Sequence, residues 1–192
     1  AFAVIYTSLG LTGGSRIYYA KYVLGDEMLN STMTMFNYIP TILTIMLIPV
    51  FTKRFGKIKA LFVGFLFYAA GLVLEIAGPV NLPMIYTGLV LQGIGHAALY
   101  SCLFAIVGDV VDYSEWKDGI REEGITYSVT SFGQKIGTGL GTAALGWILA
   151  AGHYDGTAAV KSASAIFAIK GLFLYLPLVI TVIVLIIWYL FM

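Results

Sequence analysis

Lys135 lies about ten residues into an apolar run that opens near position 125, too deep for its ammonium to snorkel easily to a bilayer surface. A charge at that depth usually borders a watery cavity or a partner charge. At about 100° per residue, Ser128, Ser131, Lys135, Thr138 and Thr142 share one stripe of a helix, while Gly133, Gly137 and Gly141 share the opposite one. The glycine repeat admits a neighbouring backbone. One face would therefore pack, and the other would present hydroxyls around a cation. The competing reading is an ammonium neutralised by a carboxylate, with no ligand role.

Three further groups share this pattern. Gln92, His96 and Tyr100 recur at i, i+4 and i+8, so an amide, an imidazole and a phenol line one helix face. Such groups suit a hydroxyl-rich ligand, although a buried histidine more often bonds between helices than carries protons. Arg16 has Thr12 and Tyr19 on its stripe and lies one or two turns from the outer surface, where snorkelling is the alternative. Thr34, Asn37 and Thr41 stand at helical spacing beside Tyr38 and Pro40. Pro40 frees the carbonyl four residues back and can bend the helix, and the threonines can equally bond their own backbone. Glu75, one turn before Gly78 and Pro79, reads as an interfacial carboxylate.

The elements that carry these residues are six apolar runs, at 2–23, 32–51, 58–77, 84–107, 125–151 and 166–192. The 192-residue chain is 59% hydrophobic and 11% charged, with a mean hydropathy of +0.90, against about 25% charged residues in soluble domains. Crossing a bilayer takes about 20 apolar residues. In lipid every backbone group needs an internal partner, and the runs do not alternate as barrel strands do. The predicted fold is an all-α membrane protein, a single domain over 1–192 with six transmembrane helices. Cys102 is a lone apolar filler, and the net charge of +1 makes no case for nucleic acid. The first run lacks the basic segment and cleavage site of a signal peptide, and no initiator methionine precedes it. The expectation is that the numbering begins inside a longer protein.

Loop charges orient the runs. Lys53, Arg54, Lys57 and Lys59 follow the second, and Lys117 and Arg121 follow the fourth, against Lys21 and Lys161 on the other side. That bias predicts cytoplasmic placement for 52–59, 108–123 and both chain ends. The 108–123 segment also carries six carboxylates, among them Asp109 and Asp112 on one helix side. Facing the four cations of 52–59, it would form a network that biases a gate or simply a solvated surface.

Two segments resemble a known family. One is Tyr18-Tyr19-Ala20-Lys21-Tyr22-Val23-Leu24-Gly25-Asp26. The other is Gly108-Asp109-Val110-Val111-Asp112-Tyr113-Ser114-Glu115-Trp116-Lys117, continuing from Gly119 through Ser128. Both are similar to the glycoside–pentoside–hexuronide:cation symporters, the melibiose-permease-like branch of the major facilitator superfamily, and match their C-terminal six helices. The resemblance implies alternating access around a sugar held between two six-helix halves in the cell membrane. It assigns Lys135, Thr130, Ser131 and Tyr100 to the sugar region, with tyrosine where melibiose carriers have tryptophan and threonine where they have glutamine. His96 and Asn37 join that set from the residue pattern. Arg16 has no counterpart in melibiose carriers and leaves room for a carboxylated sugar such as a glucuronide. Asp109, Asp112 and Arg121 match inner-gate charges, with Arg54 as their partner. The coupling cation, Na⁺ or H⁺, would be held by acids of the absent N-terminal half, with no cofactor or metal site here.

Against an enzyme, the sequence has no zinc-spaced His/Cys set, no Ser–His–Asp candidate at membrane depth and no nucleotide loop. Gly93-x-Gly95 is too short for dinucleotide binding. The competing classes are a half-size carrier acting as a dimer and a non-transport membrane scaffold subunit.

Overall fold

A computed structural model describes residues 2–158 and 161–191. Helices α1 (Phe2–Tyr22), α2 (Leu29–Phe55), α3 (Lys57–Ala77), α4 (Leu82–Asp118) and α5 (Glu123–Ala151) follow one another through short turns. A shorter α6 (Ala163–Lys170) then continues through a π-helical turn (Gly171–Tyr175) into α7 (Leu176–Phe191). Met192, the end of the sixth expected run, lies outside the described residues. Four rods are long and apolar enough to cross a membrane: α2, α3, α4 and the continuous stretch Ala163–Trp188. Helices α1 and α5 are also long, but their glycines, hydroxyls and charges dilute their apolarity. Apolarity alone thus marks four crossings where the sequence pattern predicts six.

Two boundaries differ from the pattern for physical reasons. Helix α4 continues eleven residues past position 107, because nothing between Asp109 and Asp118 breaks a helix. It stops at Gly119, whose φ of 71° is left-handed and whose N–H reaches the Glu115 carbonyl. At 1.5 Å per residue its 37 residues span about 55 Å, so its last turns stand clear of a hydrocarbon core about 30 Å thick. The final rod is broken by the π turn just ahead of Pro177. Proline has no N–H to give to the helix, and the Leu176 N–H reaches back five residues to the Gly171 carbonyl.

Glycines set the closest helix pairs, α3 on α4 and α1 on α5. A Cβ on Gly95 would lie 2.6 Å from the Gly64 carbonyl oxygen, and one on Gly71 would lie 2.5 Å from that of Gly88. Gly137 and Gly141 of α5 sit against the backbone of Ala3 and Thr7 on α1, as the glycine repeat predicts. Two apolar clusters flank the middle of the bundle. Along α4, the stretch from Gln92 to His96 separates Ile85 and Leu89 of one cluster from Ala97 to Leu103 of the other.

Candidate functional site

The stripe opposite the α5 glycines is open. Ser128, Ser131, Lys135, Thr138 and Thr142 are all exposed. Tyr127, Ser128, Ser131, Phe132 and Lys135 line a shallow depression of about 420 Å³. Among the described residues no carboxylate lies within 4 Å of the Lys135 ammonium, so no structural ion pair uses up its charge. Thr130 is turned away, buried, with its hydroxyl donating to the Thr126 carbonyl at 2.8 Å.

The second polar group lies inside, among α1, α2, α3 and α4. Arg16 is only 7% exposed and so does not snorkel. It donates one hydrogen bond, at 3.3 Å, to the Thr34 hydroxyl. Glu75, read as an interfacial carboxylate, lies close to the end of α3 and is fully buried at 0% exposure. The helix does end at Ala77, ahead of Gly78 and Pro79, and α4 covers the side chain. Gly88 leaves room for its side chain, and the Gln92 amide donates to its Oε1 at 2.7 Å.

His96 is buried with its ring 4.9 Å from that of Tyr68 and 5.8 Å from that of the half-buried Tyr100. Among the described residues its Nε2 has no hydrogen-bond partner, nor do the Tyr68 and Ser8 hydroxyls. All three residues line one cavity of about 20 Å³, room for a single water. Asn37 is also buried, but its amide is committed to the α4 backbone, donating to the Leu89 carbonyl at 3.2 Å. Thr41 bonds the Gly93 carbonyl at 3.0 Å beside it. The sequence pattern did not single out Ser8, Tyr68 or the inward turn of Glu75. One signal was present: Tyr68 and Glu75 are seven residues apart on α3, hence on one helix face.

At the end predicted to be cytoplasmic, the oppositely charged segments do meet. The contact runs through Lys57, whose ammonium lies 2.6 Å from Asp109 and also reaches the Ala105 carbonyl. Arg54 lies over the ring of Phe55, 5.4 Å from its centroid, and has no carboxylate within 4 Å among the described residues. Arg121 is gripped by Glu115 and Glu123, each at 2.6 Å, and by Asp112 at 3.2 Å, which joins the overrun of α4 to the start of α5. Donating to Glu115 and Glu123 holds the Arg121 guanidinium above its ordinary range. At the other end, Tyr22 and Tyr154 share a hydroxyl hydrogen bond of 2.9 Å. The Lys161 ammonium rests over both rings.

The arrangement holds and exposes polar groups; it assembles no nucleophile with a base, and no metal cluster occurs among the described residues. A family model described as MFS/sugar transport protein matches residues 1–192. The chain belongs to this family. Within this sugar-transport family, the isoprimeverose transporter of Lactiplantibacillus pentosus is 33% identical over 165 residues, covering 85% of this chain and 34% of its own length. The glucuronide carrier protein homolog of Escherichia coli K12 is 30% identical over 156 residues, covering 80% of this chain and 34% of its own. The chain thus spans about a third of the length of these relatives. The likeness read from residues 18–26 and 108–128 is borne out, and the family is one of transporters, not of enzymes.

Proposed function

We propose that this chain is the C-terminal six-helix half of a sugar or glycoside:cation symporter that works by alternating access. The observation that carries the reading is α5. One of its faces is locked by glycine onto α1, and the other leaves hydroxyls uncovered around an ammonium that no carboxylate approaches within 4 Å among the described residues. In a chain this apolar, such a face needs a watery chamber and a second wall. The missing wall is the N-terminal half, whose acids hold the coupling cation, Na⁺ or H⁺. Dilution of apolarity in α1 and α5 follows from the same placement, since both helices border the chamber rather than lipid.

In this reading Lys135 and Ser131 contact the solute from α5, with Thr130 shaping the helix behind them. Tyr100, His96 and Arg16 form the floor. Asn37 fixes α2 to α4 so that Arg16 keeps its place. Two cations that no carboxylate approaches within 4 Å among the described residues favour an acidic sugar, and a relative is named for a glucuronide. Arg54, Asp109, Asp112 and Arg121 work at the inner gate, and both ends of the segment face the cytoplasm across the cell membrane.

Counterflow in proteoliposomes of the full-length transporter tests this, with labelled glucuronide and a labelled neutral pentoside as probes. The expected result is exchange of at least one, reduced roughly tenfold or more by Lys135→Ala. A charge-assisted hydrogen bond contributes about 1.5–3 kcal/mol. Exchange unchanged in Lys135→Ala would remove that residue from the site. Absence of exchange across a broad sugar panel would sink the carrier reading.

A further inference from the structure

One end of the bundle sets cations beside an open apolar groove. Helices α2 and α3 meet through Gly56 alone, so the last turns of one lie beside the first turns of the other. Between them runs a groove of about 160 Å³. Thr44, Leu47 and Phe51 of α2 line it with Val63 and Phe67 of α3, and Ile94 of α4 lies in its floor. Leu47, Phe51 and Phe67 are exposed, so the groove opens outward rather than into the bundle. The ten residues from Thr44 to Arg54 rise about 15 Å along α2. That is the depth of one leaflet in a hydrocarbon core about 30 Å thick.

Residues four and seven apart share a helix face. Arg54 follows Leu47 by seven and Lys59 precedes Val63 by four, so each cation continues one lip of the groove. Both are exposed, and among the described residues neither has a carboxylate within 4 Å. Lys57, between them in sequence, is instead committed to Asp109 of α4. A second apolar depression, along Met35, Phe36 and Ile39, lacks such an end: the turn ahead of α2 carries Asp26 and Glu27. Lipid tails cover apolar surface without discrimination, so the groove walls alone select nothing. The two lip cations do select, because basic residues at the membrane surface attract headgroups of net negative charge.

We propose that this groove is a binding site for one anionic phospholipid, with Arg54 and Lys59 on its phosphate and an acyl chain along α2 and α3. A phosphatidylglycerol has the required chemistry. A zwitterionic lipid brings an ammonium that opposes both cations. Arg54 then pairs with lipid instead of a protein carboxylate, and the lipid braces the α2–α3 turn beside the Lys57–Asp109 pair. In the orientation proposed above, the lipid belongs to the cytoplasmic leaflet. The inference needs α2 and α3 to cross the membrane, as their length and apolarity allow, and it holds whichever solute is carried.

Native mass spectrometry of the full-length transporter tests this, with phosphatidylglycerol and phosphatidylcholine titrated from mixed micelles. The expected result is one retained phosphatidylglycerol, preferred by roughly tenfold or more, since each basic residue near an anionic headgroup is worth about fivefold. By the same factor Arg54→Gln/Lys59→Gln is expected to weaken that binding roughly twentyfold. Lys53→Gln/Lys117→Gln removes the same charge from the same end and is expected to leave it unchanged. Lys53 lies about 200° round α2 from Phe51, and Lys117 ends α4. Thr44→Phe fills the groove, keeps both cations and is expected to weaken binding as well; if it fails to fold, the exposed charge variants decide. Inorganic phosphate and glycerophosphoglycerol, added as soluble competitors, are expected not to displace the lipid. Equal retention of phosphatidylcholine, equal losses in the two double variants, or displacement by inorganic phosphate would each overturn the proposal. The measurement uses no sugar, so its failure leaves the carrier reading standing, and failed sugar exchange leaves the lipid site standing.

Discussion

The Gln92 amide is the group seen to donate to the buried Glu75 carboxyl, so its removal is felt at once. Gln92→Leu keeps the volume but leaves Oε1 without a donor, with an expected loss of about 1–3 kcal/mol. Removing both partners in Glu75→Leu/Gln92→Leu is expected to recover most of that, since no orphan polar atom remains. Thermal unfolding of the full-length protein in detergent, run as a double-mutant cycle, checks both values. Such residues were only partly legible in the sequence. Lys135 declared itself because its depth, its hydroxyl stripe and the opposing glycines all belong to one helix. Glu75 did not, because what buries it is Gly88 and Gln92 on another helix. A one-dimensional pattern shows a residue's own face, not the wall that closes over it.

Between helices, the decisive feature is how closely backbones approach. Gly95→Ala would place a methyl 2.6 Å from the Gly64 carbonyl oxygen, and rigid backbone cannot give way as a side chain does. A loss of about 1–3 kcal/mol is expected. Gly139, on the open side of α5, has nothing within 4 Å. Gly139→Ala is therefore expected to be neutral or to stabilise by up to about 1 kcal/mol through helix propensity. Melting curves of the two variants side by side test the contrast; similar shifts in both would refute the packing account. The course of the helices was largely legible, since runs of apolar residues bounded by charge admit little else. The overrun of α4 was less so, because Asp109–Asp118 is polar enough to read as a loop yet contains no residue that stops a helix. The π turn at Gly171–Tyr175 was not legible at all. Pro177 announces a lost hydrogen bond, but only packing decides how the backbone absorbs it, and there Phe173 lies 4.5 Å from the ring of Tyr19.

The whole bundle is asymmetric: an uncovered polar face along α5 and charged braces at the end of α3, α4 and α5. Lys57–Asp109 ties α3 to α4, and Arg121 ties the overrun of α4 to α5. These pairs are exposed, so each contributes only about 0–1 kcal/mol and weakens with salt. Their value to a carrier is shape rather than stability, because a tied end can meet its other half as one surface. If closure of the inner side depends on that surface, loosening it must lower the outward-open population. Asp109→Lys sets two like charges against each other. Expected is a fall of up to about fivefold in labelling of Ser131→Cys by a membrane-impermeant maleimide added outside, the factor that about 1 kcal/mol allows. Reversing the pair in Lys57→Asp/Asp109→Lys restores attraction with the same two side-chain types and should restore labelling. High salt should shrink the difference between single and double variants. Labelling that stays low in the reversed pair would mean that the positions matter for some reason other than their charges, and the brace would have no part in closure.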